Sequence, residues 1–308
     1  MVSALVSIGT NSTRLLVLDG DRRLAAESRG TRIGTGIAAT GTIDPAARER
    51  TLAAVADYVE TARRLRVEAI DAVATSGLRR AADAAAFAQE VGALTGIAPR
   101  IISGEDEARY SFLGATAAHG ADHPVAVLDV GGGSTEIAVD TPAHARAAGV
   151  VALTRSLEIG AVRLSERHPA LLGASAPVSP AVEAAARADA AAILAPYGAI
   201  RGFEELLVVG GTAFTSAAMV AGAMHDRTRL TREDCTKLID RLLALDLDAR
   251  KLLPHIRPQR ADILPAGLIV IDEACRLLDV TGFTVSEADL LLGYLTSPAF
   301  RAAPFPQR

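Results

Sequence analysis

Short apolar runs at the beginning of the chain alternate with turn-like segments, and this pattern predicts a β-meander. The apolar runs at residues 2–8 and 15–18 are separated by the turn-like residues 9–12, and an Asp-Gly-Asp turn follows. Asp44 and Pro45 then form a helix start signal, after which apolar residues recur at helical spacing. We therefore expect a helix over about residues 45–66.

The rest of the chain predicts one order of elements twice. In the first half, a strand, a helix, a strand and a helix are expected at residues 69–74, 80–94, 100–102 and 105–118. In the second half, strands are expected at residues 125–130, 137–139, 150–157 and 206–209, and helices at 160–167, 178–195 and 212–222. Another helix is expected over residues 263–279. The repeated order βββαβαβα indicates an α/β protein built from two copies of one domain.

The duplication is also visible in individual residues. Gly9, Ser12 and Thr13 recur as Gly131, Ser134 and Thr135 at a constant offset of 122 positions. Each copy places glycine and hydroxyl groups at the tip of a hairpin, so two tips that face each other across a cleft could hold a phosphorylated ligand. For either tip alone, an ordinary hairpin turn remains the alternative interpretation.

Composition narrows the classes of function. The length of 308 residues favours about two domains, and 50% apolar with 22% charged residues disfavours intrinsic disorder. A net charge of −4, no Trp and only 4% aromatic residues argue against a general nucleic-acid binder. We expect no signal peptide and no membrane span, and the two separated cysteines favour a reducing, cytoplasmic location.

Two carboxylates flank the second hairpin tip. Asp129 ends an apolar strand, and Glu136 follows seven positions later, across three glycines and two hydroxyl residues. A hairpin brings its strand ends together, so both carboxylates could reach one hard cation, with phosphate oxygens completing the ligand set. Mg²⁺ or Mn²⁺ is the expected ion. An exposed strand residue and a turn cap are the alternative interpretation of this pair.

Two strand-to-helix turns and one acidic helix start add further candidates. Residues 74–79 place hydroxyls, a glycine and Arg79 at a helix N-terminus, which suits an anion, and residues 209–212 form the glycine-rich counterpart. A solvated surface arginine and a tight packing turn are the alternatives. Residues 105–109 begin a helix with three acids, and Glu107 becomes a candidate only if it faces the cleft.

At this point the chain resembles the exopolyphosphatase/guanosine pentaphosphate phosphohydrolase (Ppx/GppA) family of the actin-like phosphotransferase superfamily. The resemblance covers nearly the whole chain. It is carried by the following segments: residues 8–12, 74–76 with Arg79, 102–104 with 107–109, 129–136, 156–161, 210–212, 260–262 and 285–287.

The resemblance implies two ribonuclease-H-like (actin-like ATPase) domains, each with a mixed sheet flanked by helices, and a cleft between them. The domains are expected at residues 1–118 and 119–294, with residues 295–308 packing back on the first. The implied activity is metal-dependent removal of the terminal phosphate of inorganic polyphosphate, or of guanosine pentaphosphate, and a homodimer is plausible.

By position, the resemblance also implies roles for individual residues. Glu107 would be the catalytic carboxylate that orients or deprotonates water, and Arg79 would steady the terminal phosphate. Asp129 and Glu136 would be linked to the Mg²⁺ or Mn²⁺ ion. The expected phosphate contacts come from both tips and the second strand-to-helix turn: Thr10, Asn11, Ser12, Arg14, Gly131, Gly132, Gly133, Ser134, Gly210, Gly211 and Thr212.

Three residues depart from the family pattern. Ser7 stands where the family has Asp, Arg80 replaces a usual Asp, and Leu291 replaces a usual Arg. These changes keep a weakly active enzyme, or a non-catalytic phosphate or alarmone sensor, among the alternatives, together with an ATP-dependent kinase or ATPase. The chain ends without the additional C-terminal helical domains of longer members, which leads us to expect short polyphosphates.

Overall fold

A computed structural model of the chain describes residues 1–117, 119, 121–223, 226–300 and 303–304. The predicted domain boundary at residue 118 and part of the C-terminal segment lie outside the described residues. No helix in the described ranges is both long enough and apolar enough to cross a membrane.

The first sheet is mixed and consists of strands from the first half of the chain and from its end. Its strands are β1 (Val2–Ile8), β2 (Thr13–Asp19), β3 (Arg22–Arg29), β4 (Ala69–Ala74), β5 (Arg100–Ile101) and β12 (Ala303–Pro304), in the order β12-β4-β1-β2-β3 with β5 beside β4. The meander β1-β2-β3 is antiparallel, whereas β4 runs parallel to β1. The predicted meander and the strand predicted at residues 69–74 are therefore confirmed.

The second sheet repeats this arrangement. Its strands are β6 (Val125–Val130), β7 (Thr135–Asp140), β8 (Leu153–Leu157), β9 (Glu205–Val209), β10 (Arg229–Thr231) and β11 (Gly282–Val285), in the order β10-β11-β9-β6-β7-β8. Strands β6, β7 and β8 form an antiparallel meander, and β9 runs parallel to β6. The predicted duplication of the α/β unit is thus seen in the topology of both sheets.

Helices flank both sheets. They are α1 (Ile37–Thr40), α2 (Pro45–Arg64), α3 (Ser76–Arg79), α4 (Ala84–Thr95), α5 (Gly104–Ala115), α6 (Pro142–Ala148), α7 (Ala161–Arg167), α8 (Pro180–Leu194), α9 (Gly211–Ala221), α10 (Arg232–Leu243), α11 (Leu247–Lys251), α12 (Leu264–Leu277) and α13 (Leu290–Leu295). Short 3₁₀ segments lie at Pro169–Leu172, Ala195–Ala199 and Pro258–Arg260.

Several helices differ from the pattern-based expectation. The helix expected at 80–94 begins only at Ala84, because residues 80–83 connect α3 to α4 without helical structure. Helix α5 ends at Ala115 rather than at 118. The sequence pattern did not predict α6, α10, α11 and α13, nor strands β10, β11 and β12.

Helix α13 connects the end of the second unit to the first sheet. It packs against α5 so closely that an added Cβ on Gly114 would lie 1.9 Å from the Asp289 carbonyl oxygen. An added Cβ on Gly293 would likewise lie 1.9 Å from the Tyr110 carbonyl oxygen. Strand β12 then pairs with β4. Since α5 also carries Glu107, this contact sets α13 beside the candidate site.

Candidate active site

The two hairpin tips have the same backbone structure. In the first tip the Gly9 N–H donates to the Ser12 carbonyl at 3.0 Å, and in the second the Gly131 N–H donates to the Ser134 carbonyl at 3.0 Å. Both turns are therefore closed by the same hydrogen bond, so the sequence repeat is also a repeat of local conformation.

The tips lie against each other. An added Cβ on Gly133 would come within 2.6 Å of Thr10 Oγ1 and 2.8 Å of Ser76 Oγ. An added Cβ on Gly132 would lie 3.2 Å from the Asn11 nitrogen. Glycine is needed here because the missing side chain allows the second tip to approach the first and the turn that carries Ser76.

A small cavity of about 80 Å³, which we call the inner cavity, opens where the tips meet. Ser7, Gly9, Thr75, Ser76, Val130, Arg260 and Leu290 contribute to its lining. So do most of the residues expected at the site: Thr10, Asn11, Ser12, Arg14, Glu107, Asp129, Gly131, Gly132, Gly133, Ser134, Gly210 and Gly211. The site residues from both halves of the chain are thus brought to one place.

Glu107 faces this cavity from the first turn of α5. Ser103 caps the helix by accepting a hydrogen bond from the Asp106 N–H at 3.0 Å, which orients the turn. The Glu107 side chain is only 7% exposed, and Arg79 Nη1 donates to its Oε2 at 2.7 Å. Burial raises the pKa of Glu107, and the neighbouring Arg79 opposes that rise.

Asp129 and Glu136 are direct cross-strand partners in the β6–β7 register, as the hairpin predicts. The Ser111 hydroxyl donates to Asp129 Oδ2 at 2.6 Å. Burial, followed by the negative charge of Asp289, raises the pKa of Asp129 to about 7. Burial and the charges of Glu107 and Asp129 also raise the pKa of Glu136.

Glu136 occupies a different place from the one expected of a metal ligand. Its side chain is fully buried and does not line the inner cavity. The Ser156 hydroxyl donates to its Oε1 at 2.7 Å, and Arg79 Nη2 lies 3.7 Å from the same oxygen. The carboxylate therefore lies behind the cavity wall, where it faces Arg79.

Arg79 is held by protein groups rather than facing the inner cavity. Besides Glu107 and Glu136, its guanidinium contacts the Ile102 carbonyl at 3.2 Å and Ser134 Oγ at 3.4 Å. Arg79 thus connects the turn after β4 with the acidic residues of both halves. The geometry supports a role in fixing Glu107, and the expected direct contact with the terminal phosphate stays a prediction.

The second strand-to-helix turn presents its backbone to the cavity. Gly210 has a φ of +96°, and an added Cβ there would lie 3.1 Å from Asp129 Oδ1, so the turn requires glycine. The first N–H groups of α9 lack intrahelical partners and favour an anion. The Thr212 side chain is buried against Gly267 of α12, so the phosphate contact expected of Thr212 can come only from its backbone.

Arg260 was missed as a site residue. It is half-buried, lies against Gly211, and its Nη2 donates to Ser12 Oγ at 3.2 Å. Burial, with the charges of Arg257 and Arg14, lowers the pKa of Arg260 to about 10. A bound anion would stabilise the charged form of the guanidinium. In the sequence, residues 260–262 stand only among the segments that carry the family resemblance, because nothing local shows that Arg260 reaches Ser12.

Asp289 was also missed. It caps α13 through the Leu291 N–H at 3.1 Å, and it forms an ion pair with Arg14. Arg14 therefore reaches the inner cavity with its charge already partly compensated. The capping position could be read from the sequence only once α13 itself was recognised.

Three buried oxygens around the tips have no hydrogen-bond partner. Asn11 Oδ1 and Ser76 Oγ belong to residues that line the inner cavity, whereas Glu136 Oε2 lies behind its wall. Across the described residues, no three His, Cys, Asp or Glu side chains are arranged to hold a metal by themselves. Asp129 brings one carboxylate to the inner cavity, and Mg²⁺ is commonly held by one or two carboxylates together with substrate phosphates, so the donor set fits the expected ion.

Comparison with known proteins identifies the family. The profile of the Ppx/GppA phosphatase family matches residues 19–298. The chain belongs to the Ppx/GppA phosphatase family. It is 34% identical to exopolyphosphatase 2 of Mycobacterium tuberculosis, over 96% of this chain and 98% of that protein. It is 28% identical to guanosine-5'-triphosphate,3'-diphosphate pyrophosphatase of Vibrio atlanticus, over 94% of this chain but only 58% of that protein.

Solved structures agree with this assignment. The crystal structure of an exopolyphosphatase-like protein superimposes with a TM-score of 0.85 at 27% identity, covering 96% of this chain and 98% of that chain. A Ppx/GppA family member from Aquifex aeolicus gives a TM-score of 0.77 at 25% identity, with 96% of each chain covered. The expected family and its two-unit α/β fold are confirmed.

The three departures from the Ppx/GppA pattern lie in different surroundings. Ser7 is buried in the inner cavity and is the cross-strand partner of Arg14. Arg80 is half exposed and forms an ion pair with Glu158 of the second unit at 3.3 Å. Leu291 is buried and lines a larger cavity next to the inner one. Only the change at Ser7 therefore alters the charge inside the inner cavity.

Proposed function

We propose that this Ppx/GppA phosphatase is a metal-dependent exopolyphosphatase, which hydrolyses the terminal phosphate of inorganic polyphosphate by attack of water. The observation that carries the proposal is that Glu107 faces the cavity formed where the two glycine-bearing tips meet. Hydrolysis of a phosphoanhydride needs a positioned water, fixed donors and compensation of charge, and no covalent nucleophile.

The residues divide these tasks among themselves. The tip backbones and the start of α9 would bind phosphate oxygens, and Arg260 would add a cation that no described carboxylate pairs with. Glu107 would orient the water and accept its proton, because its raised pKa brings the carboxylate closer to neutral pH. Arg79 would keep Glu107 in place through their 2.7 Å contact.

Mg²⁺ or Mn²⁺ is proposed as the cofactor, with Asp129 as the protein ligand that reaches the inner cavity. When bound, the ion would neutralise charge on the phosphate oxygens and orient them. The more deeply buried Glu136 is assigned instead to the contact with Arg79. We also propose a cytoplasmic location, which the two free, buried cysteines support.

The test is phosphate release by the purified protein from tripolyphosphate, measured with Mg²⁺, with Mn²⁺ and with a chelator. We expect release that depends on the added ion. No release with either ion across pH 6 to 9, from tripolyphosphate or from longer chains, would contradict the proposal.

A second candidate substrate is guanosine pentaphosphate. A cavity of about 620 Å³ adjoins the inner cavity and is lined in part by Phe214, which could contact a base. The catalytic groups would be the same. Values of kcat/KM for guanosine pentaphosphate and tripolyphosphate, measured side by side, decide between the two substrates.

A further inference from the structure

The larger cavity, which we call the outer cavity, continues directly from the inner one. It has a volume of about 620 Å³, and the two cavities share Arg14, Gly210, Gly211 and Arg260 in their linings. Arg14, Leu16 and Leu18 line it from alternate positions of β2, so it extends along that strand away from the tips. A substrate longer than the inner cavity can continue into this space.

Positive charge in the outer cavity is concentrated at its inner end. Arg260 lies there, and the half-buried Arg257 lies over the Phe214 ring at 5.5 Å. Neither guanidinium forms an ion pair with a described carboxylate. Burial lowers the pKa of both groups. The charge of Glu287 opposes this at Arg257, whereas Arg14 lowers the pKa of both groups further, so an anion at this end is favoured.

The wall beyond these arginines combines leucines with the acidic residues Asp21, Glu27 and Asp226. Leu16 and Leu18 line it from β2, and Leu291 and Leu292 line it from α13. An extended polyanion that entered this part would lose hydration and gain no compensating charge from the leucines. The wall therefore favours phosphates near the inner end only.

An ion pair lies across the outer end. Arg23 is the register partner of Leu18, and its Nη1 lies 2.7 Å from Glu287 Oε1. The Glu287 N–H in turn donates to Asp226 Oδ1 at 2.7 Å, which holds the acid in place. Both members of the pair are about half exposed, with 54% and 43% of their side chains accessible. Arg23 is thus neutralised at the point where a longer chain would leave.

From this arrangement we propose that the outer cavity sets the chain length of the substrate, with the Arg23–Glu287 pair as its stop. The inference rests on the proposed exopolyphosphatase function. Short chains bind wholly within reach of Arg260 and Arg257. Longer chains must pass the leucines and then reach Glu287. The negative charge of Glu287 repels the chain, and its ion pair with Arg23 prevents Arg23 from binding a phosphate.

The test compares kcat/KM for tripolyphosphate with kcat/KM for a size-fractionated long-chain polyphosphate. In the wild type we expect the shorter substrate to be preferred. Glu287→Gln removes the repelling charge and releases Arg23, so kcat/KM for the long chain should rise about fivefold, with little change for tripolyphosphate. Arg23→Gln leaves Glu287 unpaired, so kcat/KM for the long chain should fall.

The matched control is Glu233→Gln, which releases Lys237 from an exposed ion pair of 2.7 Å on α10, a helix that lines neither cavity. It should leave the ratio of the two kcat/KM values unchanged. The proposal is overturned if Glu287→Gln has the same ratio as the wild type, or if Glu287→Gln and Arg23→Gln shift the ratio in the same direction.

A binding measurement separates this inference from the proposed function. Isothermal titration calorimetry gives the Kd values of tripolyphosphate and of the long chain without turnover. It is done with Glu107→Gln and with the double variant Glu107→Gln/Glu287→Gln, and the ratio of the two Kd values is compared between the proteins. If the wild type releases no phosphate from any chain, the proposed function fails. The ratio of the Kd values then still tests whether the Arg23–Glu287 pair limits the chain length that binds. If Glu287→Gln leaves the ratio of the Kd values unchanged, the role of the Arg23–Glu287 pair is overturned, while the proposed function is not affected.

Discussion

The first and second hairpins have the same backbone and opposite charge. Each is closed by a hydrogen bond of 3.0 Å from its glycine to its serine. Directly behind the tip, however, the first hairpin pairs Ser7 with Arg14, whereas the second pairs Asp129 with Glu136 at the equivalent positions. One hairpin thus offers a cation and a hydroxyl, and the other offers two carboxylates.

The supporting contacts behind the hairpins are also repeated. The Tyr58 hydroxyl donates to the Thr13 carbonyl at 3.2 Å, and the Tyr197 hydroxyl donates to the Thr135 carbonyl at 2.5 Å. The two hairpins therefore share their backbone structure and differ in the side chains that could take part in chemistry. The turn and its support are the same in both halves, whereas the paired residues behind the tips differ: Ser7 and Arg14 in the first, Asp129 and Glu136 in the second.

The largest effect is expected from a side chain placed between the tips. In Gly133→Ala, the new Cβ would lie less than 3 Å from the hydroxyl oxygens of Thr10 and Ser76, so these side chains must shift and the contact between the tips is disturbed. Since a displacement of about 1 Å can cost 10²-fold in rate, we expect kcat to fall by about that factor. Gly198→Ala is the control, because its Cβ would have no neighbour closer than 3.8 Å. Equal turnover in both variants would show that contact between the tips is not needed.

Charge removal at equivalent positions should affect the two hairpins unequally. Asp129→Asn is expected to lower kcat on the order of 10²-fold and to raise the Mg²⁺ concentration needed for activity, because it removes the proposed ligand. Ser7→Ala, at the matching position of the first hairpin, should have a much smaller effect. The measurement is phosphate release by both variants as a function of Mg²⁺ concentration. Similar losses of kcat in Asp129→Asn and Ser7→Ala would contradict the assignment of the metal ligand to the second hairpin.

The same asymmetry predicts how stability depends on pH without added metal. Burial raises the pKa of Asp129 to about 7, so the folded state holds a proton that the unfolded state releases near pH 4. The contribution of this group to stability is therefore lost as the pH rises from about 4 to 7. Between pH 5 and 7 we expect the Tm of Asp129→Asn to fall less than that of the wild type, by a few degrees. Parallel curves for the two proteins would contradict the assignment.

The smallest effects are expected from the repeated tyrosines. Tyr58→Phe and Tyr197→Phe each remove one buried hydrogen bond to a tip, at a cost of about 1 kcal/mol. Thermal unfolding should show losses of similar size for both variants. If one variant is destabilised by several degrees and the other by none, the two supports are not equivalent.

Local patterns were enough to predict the repeated parts of the molecule. Alternation and turn residues located both meanders, and the hairpin register placed Asp129 opposite Glu136 as expected. Each of these features depends on residues close together in sequence. Helix α10 also begins with a capping box at Thr231 and Asp234, a local signal that would have located this helix.

The remaining site residues depend on contacts between distant segments. Arg260 reaches Ser12 across 248 positions, and Arg14 pairs with Asp289 across 275. Arg79 contacts the carboxylates of Glu107 on α5 and Glu136 on β7. The residues around Arg79 in the sequence do not predict that these two elements lie beside it. Positions of this kind can be assigned only after the two units have been brought together.

The most direct measurement of the central claim is single-turnover phosphate release from tripolyphosphate by Glu107→Gln, compared with Glu105→Gln on the exposed face of the same turn. If the two hairpins form one site that receives Glu107, the Glu107→Gln rate falls by about 10² to 10⁴ while tripolyphosphate still binds, and Glu105→Gln behaves like the wild type. Wild-type rates in Glu107→Gln would contradict the account.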